Sequence, residues 1–475
     1  MGSGSGKAWT GDDDKLPERV RAELVRPSGD WIPLAKKLAN QRLTALERHL
    51  LADGNQPAVT HFIVIPLGPM ANVPVEILAP NYQVSYIPSG TVWARLAETH
   101  RPPKTTSLLA LGDPLFKSPE TTPFPLAPDH GLLLVQVVPG GNAHKAGLRN
   151  GDVLLAYASK TLQAKADLQL KDSGEPVAIR VWHDGKIDDR TIAPGELSAV
   201  IHRKPAPEAL REQRELEMLL ASTRGASAKP LPGTRNEVTA LAGLMPAGQS
   251  EVLLGSQSSE QELDKLAAAG RLKDFRLLHF ATHGQIDDVS ASRSALLVAN
   301  DRLPDELEQA RKGLKVYNGR LTVEAMSKWQ LDADLVTLSA CETALGKAAG
   351  GEGYLGFAQV LFKAGARALV LSRWRVDDTA TTLLMVRFYQ NLLGKRPDLK
   401  APLRRAAALR EAQHWLRDLP RSEAEKLTAQ LSGGEVRGTI TPLKPIVQQP
   451  VVPPGDRPYA HPYYWSAFML MGDPD

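Results

Sequence analysis

The chain has 475 residues, 43% hydrophobic and 23% charged, with a formal net charge of +4. That length holds two or three domains with cores of their own, and so small a net charge, with no Lys/Arg block, argues against a nucleic-acid partner. The single cysteine excludes an internal disulfide framework, and no run of about 18 apolar residues exists to cross a membrane, so a cytoplasmic location is expected.

Met1–Gly6 is a Gly/Ser run, and residues 1–15 read as a leader or flexible N-terminus. Leu16 to Leu51 carries Leu and Trp at helical spacing and ends at Gly54. Thr60–Ile65, Val84–Ile87 and Ser107–Leu111 are short strand candidates, the last closed by Gly112-Asp113-Pro114. The texture then changes. Gly131–Val138, Val153–Ala156 and the Val177–Trp182/Arg190–Ile192 hairpin, with its Asp184-Gly185 turn, are strands separated by Gly turns and predict a small β-rich module.

Pro205–Thr223 reads as a charged helix and Ser222–Pro232 as a linker. Beyond it strands and helices alternate: strands at Leu277–Thr282, Asp334–Ala340, Ala366–Trp374 and Trp465–Met471, and helices at Tyr354–Lys363, Thr379–Leu393 and Leu403–Leu416. Thr441–Pro458 is Pro-rich and reads as a loop. Alternation of this kind predicts an α/β domain with a mostly parallel sheet.

Two strand tips carry chemistry. Cys341 ends one apolar run in LSACETALG, and His283 ends another in HFATHG. Reactive groups in open α/β sheets gather beyond the carboxyl ends of the strands. A thiol needs a base to become a thiolate, and an imidazole can take that proton and return it to a leaving amine. Gly284 follows the histidine, and its N–H and that of Cys341 are candidate oxyanion donors. His279 and His283 stand at i and i+4, but no further Cys or carboxylate cluster completes a metal site. No metal or cofactor is expected, and His279 reads as a structural neighbour.

HFATHG and LSACETALG resemble the CHAT family of caspase-like cysteine peptidases, in one clan with caspases and separase. So do GGEGYLGFAQVLFKAGARALVLSRWRVDD at 350–378, HPYYWSAFMLMGD at 461–473, IPLGPMANVPVEIL at 65–78, VSYIPSG at 84–90, LALGDPLF at 109–116 and LPGTRNEVTAL at 231–241. The resemblance implies a two-lobed caspase-like α/β fold, with a first lobe over 16–124 and a catalytic lobe over 231–475. Cys341 would be the nucleophile and His283 the general base and acid. Separase resembles the stretch at Trp374, where an acidic residue floors the S1 pocket. Asp378, with Asp377 beside it and Trp374 nearby, would then receive a basic P1 side chain. Either aspartate is equally suited to cap the helix that begins at Thr379. Arg373-Trp374 departs from the family's Leu-Trp, and an Arg373 pointing into the cleft would weaken the P1 argument.

Residues 128–196 resemble a PDZ domain of the bacterial high-temperature-requirement protease type, within a unit placed at 125–200 and followed by a helix and linker at 201–230. Such modules add a peptide strand to a sheet edge. Gly131, Leu132 and Leu133 would cradle the carboxylate, with Leu132 and Leu134 lining a pocket. CHAT-like sequence on both sides makes it an insertion. The expected function is a bacterial cysteine endopeptidase that cuts a protein substrate after a basic residue and is recruited or regulated by a PDZ ligand peptide. The alternative is a peptide-binding scaffold with an idle peptidase lobe, and an inserted module that is only a spacer remains open. Arg224-Gly225 is a candidate self-cleavage site.

Overall fold

A computed structural model describes residues 8–54, 56–98, 106–117, 127–183, 185–211, 228–287, 290–304, 309, 311–340, 356–432 and 452–475. Cys341, Asp184, Arg224-Gly225 and most of Thr441–Pro458 lie outside the described residues. The chain divides into two units, one built from 1–117 and 228–475 and the other from 118–227.

The strands run in chain order β1 (His61–Val64), β2 (Gln83–Tyr86), β3 (Leu108–Pro114), β4 (Leu132–Val137), β5 (Val153–Tyr157), β6 (Lys160–Thr161), β7 (Val177–His183), β8 (Lys186–Ile192), β9 (Ala199–Ile201), β10 (Ser250–Gly255), β11 (Leu277–Ala281), β12 (His283–Gln285), β13 (Ala295–Leu297), β14 (Arg320–Thr322), β15 (Leu335–Ser339), β16 (Ala368–Ser372) and β17 (Phe468–Gly472). The larger unit holds an eight-stranded sheet in the order β1-β2-β17-β16-β15-β11-β3-β10. β16 and β17 pair antiparallel, and the other neighbours run parallel.

The central strands are mostly apolar because both faces are covered, and their polar residues His279, Thr337, Ser339 and Ser372 are buried. Successive residues point to opposite sides, so Leu277, Leu335, Val370 and Leu470 join a core with the helices Asp378–Leu392 and Arg405–Asp418. Leu278, Val336, Leu369 and Met471 join the opposite core, with Leu263, Trp329 and Leu361.

The two CHAT-like stretches do not close separate lobes. β3, from the first stretch, is paired on one side with β10 and on the other with β11, so both stretches share one sheet and its hydrogen bonds. The leader expectation also changes. Residues 11–15 belong to a helix, Gly11–Leu24, capped by Thr10 and Asp13. The helical reading of 16–51 resolves into that helix, a second over Ile32–Arg42 and a 3-10 turn over Thr44–His49.

Arg373 points into this unit's interior. It is fully buried, with its guanidinium 4.7 Å from the Tyr86 ring centroid. It donates to the Ser466 carbonyl at 3.0 Å and to Glu76 at 3.4 Å, while the Tyr86 hydroxyl donates to the same carboxylate at 2.6 Å.

The smaller unit is an antiparallel sheet in the order β8-β7-β5-β4-β9, with β6 on β5. Leu132, Leu134, Leu154, Ile179 and Val181 form one core. Leu133, Val153, Leu155 and Trp182 form a second with Ala206, Ala209 and Leu210 of the helix that starts at 206. Gly131, at φ +116°, leads into β4, and a Cβ there would stand 2.4 Å from Val153 Cγ1.

Removing the Glu76 carboxylate strands a buried cation. Glu76→Ala should cost about 3–5 kcal/mol in urea unfolding, and Glu76→Gln, which keeps one of the two acceptor oxygens, less. A negligible loss in both variants would show that the carboxylate does not matter to the guanidinium.

Candidate active site

The parallel pair β11–β15 sets the site. Ala281 stands opposite Ser339, and Thr282 N–H donates to the Ser339 carbonyl at 3.2 Å, so the two strands leave the sheet at the same end. Beyond β15, Ala340 is buried and its carbonyl accepts from the Ser372 hydroxyl of β16. That bond fixes the residue immediately before Cys341. Beyond β11, the chain enters a three-stranded antiparallel sheet in which His283 faces Leu297 and Gly284 faces Leu296. The Thr282 hydroxyl also donates to the Leu297 carbonyl. His283 is therefore held by two sheets at their junction.

The half-buried imidazole places Nε2 2.7 Å from the Lys229 carbonyl oxygen, with the Phe116 ring 5.8 Å away. A carbonyl only accepts, so Nε2 carries the proton. In the neutral ring Nδ1 is then the basic nitrogen. The carbonyl is itself anchored. Two residues on, Leu231 caps the helix Pro232–Gly243. Thr234 of its first turn donates to the Leu231 carbonyl at 2.7 Å and accepts from Asp113 N–H at the end of β3, also at 2.7 Å. Lys229 contributes through its backbone, so its side chain offers no signal by which sequence reasoning finds it.

The two aspartates separate. Asp377 is the N-cap of the helix Asp378–Leu392 and accepts from Ala380 N–H at 2.8 Å. Burial raises its carboxyl above the usual aspartate value, against the N–H bonds from Ala380 and Thr379. Asp378 makes no capping bond, and its side chain still reaches solvent. The chain around its carboxyl nevertheless removes enough water to raise it. The Asp377 and Glu237 carboxylates push the same way, and His283 pulls it back. Gly233 backs it closely: a Cβ there would lie 3.4 Å from Asp378 Cβ.

Trp374 does not line an opening. It is 2% exposed, sits in the hydrophobic core and donates its indole N–H to the Tyr463 carbonyl at 3.0 Å. The turn after β16 sends it inward, so of the three residues read as an S1 group only Asp378 presents an uncommitted carboxylate.

Behind the site, His279 is fully buried. Its Nε2 lies 2.7 Å from Glu237 and its Nδ1 3.2 Å from the Tyr389 hydroxyl, which lies 3.1 Å from the Thr337 hydroxyl. Burial holds Tyr389 above the ordinary phenol value. His279 is thus spent on an internal network, and no cluster able to hold a metal ion occurs among the described residues.

In the smaller unit, Leu132, Leu133 and Leu134 are all buried. β4 pairs with β5 on one side and, on the other, with the chain's own residues 198–206. The Val138 and His202 N–H groups donate to the Ser198 and Leu133 carbonyls, and the Ala206 N–H donates to the Gly131 carbonyl. The edge read as a peptide cradle is occupied from within the unit.

Among the described residues, no helix is long and apolar enough to cross a membrane. No curated protein matches the chain. Among solved structures it is similar to the Arg-specific cysteine proteinase gingipain R, at 8% identity and a TM-score of 0.29, over 52% of this chain and 42% of that one. It is also similar to the Saccharomyces cerevisiae separase–securin complex, at 11% identity and a TM-score of 0.36, over 86% of this chain and 17% of that one. The chain spans less than half the length of either protein. The CHAT domain matches residues 33–473, which take in both stretches of the larger unit and everything between them. The chain belongs to the CHAT domain family.

Proposed function

We propose that this protein is a cysteine endopeptidase acting through Cys341 and His283, with a caspase-like arrangement of its sheet. The observation that carries the reading is the hydrogen bond from His283 Nε2 to the Lys229 carbonyl, at a strand tip beside the one that ends in Ala340. It leaves Nδ1 to take the Cys341 proton. The thiolate attacks the scissile carbonyl, and the N–H groups of Gly284 and Cys341 receive the oxyanion. Nδ1–H then protonates the departing amine, and water, deprotonated by the same nitrogen, releases the acyl group from sulfur. While His283 is cationic, the Lys229 carbonyl stabilises it.

Asp378 is proposed to receive a P1 Arg or Lys. It is the acid near His283 that no helix cap consumes, and Arg373, the nearby cation that would oppose such a role, is buried against Glu76. The smaller unit is proposed to bind an extended peptide and so recruit or regulate. The scaffold alternative draws on the same unit, and cleavage separates the two.

Cys341→Ala and His283→Ala should each lower kcat/KM by about 10⁴-fold or more on a peptide library. Cleavage that persists in Cys341→Ala sinks the dyad, and no cleavage by any form favours the scaffold. Asp378→Asn should lower kcat/KM for P1 Arg and Lys by roughly 10- to 100-fold and leave P1 Leu unchanged. Asp377→Ala should instead cost about 1 kcal/mol of stability with little change in preference.

The pH dependence has a definite sign. A carboxyl raised in the folded state favours the protonated form, so ionised Asp378 destabilises the fold at neutral pH. Asp378→Asn should therefore raise Tm there while lowering activity on basic substrates. Preference for basic over neutral P1 should fade on acidification at a pH above that of an ordinary aspartate. A Tm that falls, or a preference flat down to pH 4, contradicts this assignment.

A further inference from the structure

Glu237 is a carboxylate the proposed mechanism does not use. It is 1% exposed, and it lies one helical turn after Gly233, on the face of Pro232–Gly243 that backs Asp378. Its bonded partner is His279, which joins it to the Tyr389 and Thr337 hydroxyls.

Among the described residues, the Thr337 hydroxyl meets one polar partner, the Tyr389 hydroxyl. The Thr337 proton therefore goes to Tyr389, the Tyr389 proton goes to His279 Nδ1, and His279 Nε2–H goes to Glu237. Every proton in the chain is then used. A cationic His279 would need Nδ1–H to donate to Tyr389 and Tyr389 to donate to Thr337, leaving the buried Thr337 hydroxyl without an acceptor. With that order every described hydrogen bond is satisfied by a neutral imidazole that donates Nε2–H to the buried Glu237 carboxyl.

We propose that Glu237 is a positioning residue for specificity: its buried carboxylate, accepting from His279 and lying one helical turn from the Gly233 that backs Asp378, supplies the negative field beneath Asp378 into which a cationic P1 side chain is drawn. This rests on the reading of Asp378 as the P1 floor. Among the described residues, the titratable groups that act on Asp378 are Asp377 at the start of its own helix, Glu237 from Pro232–Gly243 and His283 from β12, and the Glu237 contribution has the sign the proposal requires. Glu237 touches no substrate. Its effect belongs in KM for cationic side chains, and kcat should be spared.

The experiment titrates Asp378 by carboxyl-carbon NMR in the full chain, wild type against Glu237→Gln, alongside KM and kcat for matched P1 Arg, Lys and Leu peptides. The Asp378 titration should move to lower pH in the variant. KM for Arg and Lys should rise about 5- to 20-fold, with kcat and the Leu substrate unchanged. An unmoved titration overturns the proposal whatever the substrate preference is, as does an equal loss on all three substrates through kcat. Asp378→Asn without effect on P1 preference defeats the P1 reading instead, and the field is then judged by the titration alone. Should Glu237→Gln fail to fold, E237M with H279F, Y389F and T337V removes every polar member of the network and leaves no buried hydroxyl without a partner, and the same shifts are expected.

Discussion

One hydrogen bond organises the candidate site, that between His283 Nε2 and the backbone carbonyl of Lys229. An imidazole at a strand tip has two nitrogens, and a dyad works only if the right one is basic. A side-chain acceptor would carry its own rotamers and its own charge. A carbonyl carries neither, provided the backbone behind it is rigid. Here the rigidity comes from Thr234, which ties the start of the helix Pro232–Gly243 to the end of β3. β3 is in turn bonded to β11, the strand that delivers His283. The carbonyl and the imidazole thus belong to one closed loop of hydrogen bonds, so their relative position follows from the sheet.

The same geometry explains why adjacent acids have different fates. A helix start offers unsatisfied N–H groups to the residue before it. Asp377 takes the Ala380 N–H and is spent on it. Asp378, one residue on, is carried round the first turn to the side where Gly233 and His283 lie. Helical rotation alone separates two consecutive identical residues, one spent as a cap and the other turned toward Gly233. The opposite economy holds at Arg373-Trp374. These polar and aromatic side chains precede the site in sequence, but the sheet turns both inward, where Ser466 and Glu76 meet the guanidinium and the Tyr463 carbonyl meets the indole.

The central strands were legible because buried parallel strands are runs of Leu, Val and Ala, and β11, β15 and β16 fall within the runs at 277–282, 334–340 and 366–374. β10 was not, since Ser250-Glu251 opens an edge strand that needs apolar cover on part of its length only. The start of the helix Pro232–Gly243 was hidden because Pro232 was read as the end of a linker, although Pro suits a first helical turn. The shared sheet was invisible because strand order is a long-range property: nothing in 108–114 states that its two partners lie at 250–255 and 277–281. His283 could be placed at a strand tip from its motif, whereas Lys229 could not be found, because a carbonyl is common to every residue. Trp374 and Asp377 were over-read for the converse reason, as side chains suited to a pocket are equally suited to a core or a cap.

The smaller unit makes a related point about backbone groups. A strand edge recognises a peptide through N–H and C=O groups that must be available when the peptide arrives. In β4 those groups face residues 198–206, which run antiparallel along the strand from Val138 back to Gly131. Gly131 is constrained by Val153, which leaves no room for a Cβ, so this end of the edge has little freedom to shift. Peptide addition at β4 therefore requires that residues 198–206 leave first, and any affinity measured there is the difference between two strands competing for one set of hydrogen bonds. Val200, at the centre of β9, is half exposed, so part of the resident strand holds its place with little apolar cover. The competition is then decided by side chains a peptide can bring and the resident strand lacks.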